Sequence, residues 1–161
     1  MIQNIDGKQV RDMFVSGANN LKNHKDLVDK LNVFPVPDGD TGTNMSLTIS
    51  CAIKELNKVE QDDIGQLGKA LSKGSLVGAR GNSGVILSQI IRGIAKSIEG
   101  KETLNSMDIA EALKNGSDTA YKAVIKPVEG TILTVVRESS DYALKAAALE
   151  DWIYETSSKR S

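Results

Sequence analysis

Residues 31–45 have the sequence LNVFPVPDGDTGTNM, a stretch of prolines, glycines and oxygen-bearing side chains that interrupts an otherwise helical pattern. Asp38 and Asp40 lie two residues apart, so their carboxylates can converge on one divalent cation, which prefers oxygen ligands and removes the repulsion between them. Gly39 and Gly42 allow positive φ or a close approach of the backbone to a ligand. The stretch therefore predicts a site for Mg²⁺ and phosphate.

Helical periodicity dominates the sequence on both sides of this stretch. Apolar residues recur at three- and four-residue intervals, as in Ile64, Leu67 and Leu71, and the short apolar runs lack the alternation and hairpin signals of a sheet. We expect an all-α antiparallel bundle or barrel of amphipathic helices and a polar, frayed tail over residues 148–161. The predicted helices span residues 7–23, 24–31, 43–58, 62–76, 82–98, 106–125 and 130–147.

Composition limits the class of protein. A chain of 161 residues is long enough for one domain, here residues 1–161, with a core of its own. Its 20 basic and 21 acidic residues give a net charge of −1, which predicts neither a nucleic-acid nor an anionic-membrane partner. The single cysteine, Cys51, excludes an intrachain disulfide and is expected to be a small buried helix residue, while His24 is expected at the surface. With no signal peptide or membrane-crossing apolar run in view, we expect a cytoplasmic protein.

A second glycine-rich segment, GARGNSG at residues 78–84, lies between two helical patterns. Free N–H groups and the positive dipole end of a helix starting near Asn82 would face a phosphate, with Ser83 donating from its hydroxyl and Arg80 adding charge. The alternative is a glycine-rich corner between helices, in which Asn82 or Ser83 only caps. A third loop, KPVEGTI at residues 126–132, runs from proline to glycine ahead of a helix and offers Thr131 as the cap.

Other phosphate, metal and hydrolase motifs fail on spacing. No Gly-Lys pair is followed by Ser or Thr, as a Walker-type loop requires. An EF-hand starting at Asp38 would need Gly and Glu where Thr43 and Ile49 stand. A serine hydrolase elbow around Ser83 would need a glycine two residues after the serine, where Val85 stands.

The three segments, in this order and at these intervals, resemble the nucleotide-binding (L-type) domain of the dihydroxyacetone kinase family, and most closely its branch formed by the amino-terminal domains of bacterial fatty acid kinases. The resemblance covers roughly residues 5–145. It implies an antiparallel barrel of amphipathic helices with ATP or ADP at one end and two Mg²⁺ ions bridging the phosphates. It implies Asp38 and Asp40 as catalytic metal ligands with Asn32 as the third ligand, and nucleotide contacts from Thr41, Gly42, Thr43, Asn44, Gly81, Asn82, Ser83, Gly130, Thr131 and Ile132.

The implied reaction is phosphoryl transfer from ATP to a fatty acid that a separate lipid-binding protein presents, giving an acyl phosphate. Two alternatives stay open: a dihydroxyacetone-type kinase subunit, and a non-catalytic nucleotide-binding or scaffolding module. The family has further helices after this point, so the resemblance implies a barrel truncated at its carboxyl end. Such a barrel is expected to expose apolar helix faces and to pair with another chain, for example as a homodimer.

Overall fold

The computed structural model describes residues 4–159 and shows an antiparallel bundle of helices. Two strands of two residues each, one before the first helix and one before the sixth, form an antiparallel pair. In this pair Asn4 lies opposite Asn105 and Ile5 opposite Leu104. The helices are α1 (Gly7–Asn23), α2 (Lys25–Leu31), α3 (Thr41–Leu56), α4 (Ile64–Gly78), α5 (Gly81–Ile98), α6 (Ser106–Ala123) and α7 (Ile132–Ser158), and the strands are β1 (Asn4–Ile5) and β2 (Leu104–Asn105).

Short connections make consecutive long helices antiparallel neighbours. From α3 onwards each helix packs on the next, while α1 and α2 lie against α3. The main core lies among α1, α3, α4 and α5 and includes Leu56, Leu67 and Leu71, all of which are almost fully buried. A second cluster joins α5, α6 and α7 through Ile90, Ala120, Leu133 and Val136.

The α3–α4 contact depends on a residue without a side chain. A Cβ at Gly74 would lie 2.6 Å from the carbonyl oxygen of Cys51 and 2.8 Å from Cα of Ala52, both on α3. The backbones of the two helices are therefore in direct contact at this position. Cys51 itself is half-buried on α3, and His24 is exposed, as expected, between α1 and α2.

The expected fold class is confirmed, with differences at its edges. Each predicted helix is present, and most bounds agree within two residues. The expected frayed tail is wrong up to Ser158, because α7 continues as helix through a segment that still presents Leu149, Trp152 and Ile153 at helical spacing. The bundle also contains a two-stranded sheet, whose strands of two residues each are too short to show an alternating pattern in the sequence. Over residues 4–159 no helix combines the length and apolarity needed to cross a membrane.

We predict that Gly74→Ala destabilises the fold by about 1–3 kcal/mol, because the new methyl group would overlap the α3 backbone. The matched control is Gly17→Ala on the exposed face of α1, where a Cβ meets no atom within 4 Å. There the substitution should stabilise by about 0.5–1 kcal/mol, because alanine favours the helix. Urea unfolding measures both, and equal effects at the two positions would contradict the close α3–α4 packing.

Candidate functional site

The three loops singled out in the sequence lie at one end of the bundle. We name them loop 1 (residues 32–40), loop 2 (79–80, with the first turn of α5) and loop 3 (124–131). A Cβ on Gly81, which opens α5 at a φ of 63°, would collide with the side-chain amide of Asn44 in the first turn of α3. A Cβ on Gly130 of loop 3 would lie 3.8 Å from the ring of Phe34 in loop 1. Loop 1 and the start of α3 thus contact both other loops.

The amino terminus of α3 is capped by side chains from α2 and its carboxyl end. Asp29 accepts hydrogen bonds from the Thr43 N–H (2.8 Å) and the Thr43 hydroxyl (2.5 Å). The Asn32 amide oxygen accepts from the N–H groups of Asp40 (3.1 Å) and Thr41 (3.3 Å). The hydrogen bonds from Thr43 hold the pKa of the Asp29 carboxyl below its usual value, so this cap stays ionised near neutral pH.

Because Asp29 and Asn32 cap α3, the Asp40 carboxylate is not used to cap the helix. Asp40 occupies the N-cap position of α3 but makes no side-chain capping bond there. Within residues 4–159 neither its carboxylate nor that of Asp38 has a hydrogen-bond or ion-pair partner, and both residues are exposed. Two exposed carboxylates two residues apart, without a partner among the described residues, fit the donor chemistry of a hard cation.

Loop 2 is fixed to α3 by a buried hydroxyl. Thr48 is fully buried; its Oγ1 accepts from the Arg80 N–H (3.1 Å) and donates to the Asn44 carbonyl (2.8 Å). Arg80 is the N-cap residue of α5, yet its side chain makes no capping bond, and Gly81 and Asn82 are exposed. The first turn of α5 therefore offers backbone N–H groups and a positive dipole end at the same end of the bundle as Asp38 and Asp40.

Loop 3 is held by a network around the Glu129 carboxylate. Tyr121 (2.9 Å), Arg137 (3.0 Å) and the Thr134 hydroxyl all donate to it, and Arg137 Nε also donates to the Tyr121 oxygen (3.2 Å). The Gly130 N–H in turn donates to Thr134 Oγ1 (2.8 Å). The hydrogen bonds from Thr134, Arg137 and Tyr121 lower the pKa of Glu129 to about 2. Loop 3 is thus tied to both α6 and α7.

The structure gives several predicted site residues a local role. Asn32 is the expected third metal ligand, but its amide oxygen accepts hydrogen bonds from two backbone N–H groups. A cation would have to compete with these N–H groups for that oxygen. Thr43 donates both its N–H and its hydroxyl to Asp29. Thr131 caps α7 by accepting from the Leu133 N–H (3.3 Å), as the sequence predicts. Ile132 packs against the second core cluster.

Other predicted residues are accessible at the loop end. Thr41 and Ser83 are half-buried, and Asn82 and Gly130 are exposed. Asn44 is half-buried against Gly81, and Gly42 is buried beneath loop 1 against the α2 backbone. Within residues 4–159 no three His, Cys, Asp or Glu side chains form a metal cluster, so a cation at Asp38 and Asp40 would take its remaining ligands from elsewhere.

Sequence reasoning missed three residues that support the site: Asp29, Thr48 and Glu129. Asp29 stands three residues before Asn32, the helical spacing that places both on one side of α2, and this is the one signal that the sequence offered. Thr48 lies among apolar residues of α3, and Glu129 lies in a short loop whose sequence indicates no partner for it. Their partners are distant in sequence or visible only once α6 and α7 pack together.

The chain is an all-α bundle in which an aspartate-containing loop and two glycine-containing loops meet at one end, and comparisons with known proteins identify its family. Residues 35–159 match the DAK2 domain. An uncharacterized protein of Staphylococcus saprophyticus is 57% identical over 151 residues, covering 94% of this chain and 27% of the relative. An uncharacterized protein of Staphylococcus aureus strain USA300 is 56% identical over 154 residues, covering 95% of this chain and 28% of the relative.

The chain belongs to the DAK2 domain family, a kinase family that includes the L-type domain of dihydroxyacetone kinase. It spans less than a third of the length of the curated relatives that it matches.

We predict that acid unfolding depends on Glu129. Its pKa is about 2 in the folded state and near the ordinary 4.5 when unfolded, so its stabilisation is present above pH 4.5 and is lost as pH falls towards 2. Glu129→Gln should lose stability at neutral pH and show a shallower loss between these pH values than the parent chain. Thermal unfolding followed across this range measures the difference. The control is Glu138→Gln, an exposed α7 carboxylate without a partner in residues 4–159; a profile like that of Glu129→Gln would contradict the network.

Proposed function

We propose that this chain is the ATP- and Mg²⁺-binding domain of a kinase that phosphorylates fatty acids presented by a fatty-acid-binding partner protein. The observation that carries the proposal is the meeting of three loops at one end of the bundle, where the unpartnered carboxylates of Asp38 and Asp40 accompany the uncapped first turn of α5. Membership of the DAK2 family supports nucleotide binding, and the finer assignment of substrate and partner rests on the resemblance and on the surface described below.

In this proposal Asp38 and Asp40 hold Mg²⁺, which supplies positive charge to the phosphoryl oxygens of ATP. The N–H groups of Gly81, Asn82 and Ser83 donate to phosphate oxygens and place the γ-phosphoryl group for in-line attack. Asn32 and Asp29 support these residues, because their hydrogen bonds fix the backbone of loop 1 and the start of α3. Thr41 and Asn44 complete the phosphate side, and the segment from Gly130 to Ile132 forms the edge of the nucleotide site.

The transfer itself needs little proton chemistry. A carboxylate oxygen of the fatty acid attacks the γ-phosphorus while the bond to the β–γ bridging oxygen breaks, and ADP leaves with that electron pair. The acceptor carboxylate is ionised near neutral pH, so no general base has to remove a proton. This agrees with the sequences of loops 1, 2 and 3, which contain no histidine. Positioning and charge stabilisation provide the catalysis.

The surface around the loops favours an apolar acceptor over a small keto-alcohol. Loop 1 exposes Val33 (73%), Phe34 (58%) and Val36 (53%), and loop 3, which approaches Phe34 at Gly130, exposes Ile125 (98%). An apolar rim of this kind is typical of surfaces that meet a hydrophobic ligand or partner protein. Dihydroxyacetone is small and polar, so a site that binds it does not need an apolar rim. The exposed apolar residues therefore support the fatty acid as the proposed acceptor over dihydroxyacetone.

Metal-dependent ATP binding tests the nucleotide site. Calorimetry should detect ATP binding only with Mg²⁺, and Asp38→Asn combined with Asp40→Asn should weaken it at least about tenfold, because the amides keep the shape but lose the charge. The control is Asp12→Asn combined with Asp26→Asn, two exposed aspartates on α1 and α2. Binding that is independent of Mg²⁺, or equal losses in the two double variants, would reject the site.

The acceptor requires a separate assay. With ATP and Mg²⁺, oleate on a fatty-acid-binding protein should yield an acyl phosphate that hydroxylamine traps as the hydroxamate, while dihydroxyacetone should yield no phosphate ester. The same assay on a chain extended past Ser161 compares the domain with a longer form. Phosphorylation of dihydroxyacetone in place of oleate would support the alternative kinase, and ATP binding without product from either form would support a non-catalytic module.

A further inference from the structure

The α4–α5 hairpin, residues 64–98, has an unusual charge. It contains five of the 20 basic residues of the chain and none of the 21 acidic ones, so the remainder is net acidic, with 15 basic against 21 acidic residues. Four of the five, all except Arg80, lie away from loop 2 on the outer part of the hairpin. The near-zero net charge of the whole chain therefore conceals a local concentration of positive charge.

These four cations line one furrow between the two helices. The furrow has a volume of about 380 Å³, and its walls include Lys69 and Lys73 from α4 and Arg92 and Lys96 from α5. One acidic residue, Glu99 at the end of α5, also lines it, so the lining keeps an excess of positive charge. Each pair is spaced i, i+4, which places the two charges of a helix about 6 Å apart along its axis and on the same face. A Cβ at Gly68 would lie 3.3 Å from Ala95, so the two helices pack closely beneath the furrow.

The cations are only weakly compensated within the chain. Lys69 reaches Glu99 and Lys73 reaches Glu55, both at 3.8 Å, and the two lysine side chains remain 75% and 72% exposed. Exposed pairs at this distance contribute little. Arg92 makes one long contact, 3.5 Å, to Gln89, and Lys96 has no ion-pair or hydrogen-bond partner within residues 4–159.

An exposed apolar side chain completes the surface. Leu76 lines the furrow at the end nearer to loop 2 and is 61% exposed, and Ala95 lies on its floor. The furrow thus combines two parallel rows of positive charge with a small apolar contact. This combination matches an amphipathic helix better than it matches a small anion.

We propose that the α4–α5 furrow binds an acidic amphipathic helix of a partner protein, whose carboxylates at i, i+4 spacing pair with the four cations and whose apolar residue packs on Leu76. A concave furrow between helices is not matched by a flat lipid surface. A single-stranded nucleic acid would require aromatic side chains for base stacking, and the hairpin sequence contains none. The furrow is separate from loop 2 and from Asp38 and Asp40, so this proposal is independent of the proposed kinase reaction.

The test uses fluorescence anisotropy with a synthetic helical peptide of about 18 residues, which carries glutamates at i, i+4 and one leucine on the same face. At an ionic strength of about 0.15 M the chain should bind this peptide and not a scrambled peptide of equal composition, and added salt should weaken the complex. Replacing Lys69, Lys73, Arg92 and Lys96 by glutamine should weaken binding at least about tenfold. The matched control replaces Lys8, Lys22, Lys122 and Lys145, four exposed lysines on other helices, and should bind normally.

A charge-reversed pair gives a gain-of-function check that does not depend on loss alone. The variant Lys73→Glu with Arg92→Glu should reject the acidic peptide and bind its lysine counterpart. Equal binding of the scrambled peptide, or equal loss in the control variant, would overturn the proposal because both indicate general charge attraction. Binding to phosphatidylglycerol vesicles in place of the peptide would overturn it in favour of a lipid surface. Self-association that the four substitutions abolish, measured by sedimentation, would identify a second copy as the occupant instead.

Discussion

The hydrogen bonds that Asp29 and Asn32 make to the first turn of α3 are the constraint on which the candidate site depends. A helix start requires acceptors for its free N–H groups, and the residue at the N-cap position ordinarily supplies one. Here α2 supplies them from outside, through Asp29 to Thr43 and through Asn32 to Asp40 and Thr41. Asp40 is thereby released from capping, and its carboxylate stays free beside that of Asp38. The capping of α3 therefore falls to Asp29 and Asn32 and not to Asp40.

The same start of α3 organises the neighbouring loop. Asn44 and Thr48 lie one turn apart, and Thr48 bonds both to the Asn44 carbonyl and to the Arg80 N–H. Because Gly81 has no side chain, the backbone that opens α5 can approach Asn44 closely. The uncapped end of α5 is therefore held by α3 and not by a capping side chain of its own, which leaves its N–H groups for a ligand. Rigid positioning of this kind is what a phosphoryl-transfer site requires.

Sequence periodicity predicted the helices because amphipathic packing is a local pattern, and the motif loops because proline and glycine mark interruptions. It failed where the information is not local. The capping role of Asp29 depends on a contact with Thr43 fourteen residues away, and the Glu129 network depends on α6 and α7 packing together. The prediction for the end of α7 failed for a different reason. The polar residues there suggested fraying, although the helical spacing of the apolar residues continued. The hydrogen bonds from the Asp40 and Thr41 N–H groups to Asn32 likewise appear only in the folded structure.

Charge distribution supplies a similar lesson about partners. A net charge of −1 argued against nucleic-acid and anionic-membrane partners, but this total averages a hairpin without acidic residues and a remainder that is net acidic. Association by charge depends on the local field, which a furrow between two helices concentrates more than a sum over the chain can show. The apolar rim at the loop end and the basic furrow along α4 and α5 are built from different residues and attract different chemistry. Under the two proposals, a protein partner would occupy the furrow while an apolar substrate or its carrier occupies the loop end. Neither surface would have to be vacated for the other, because the two share no residue.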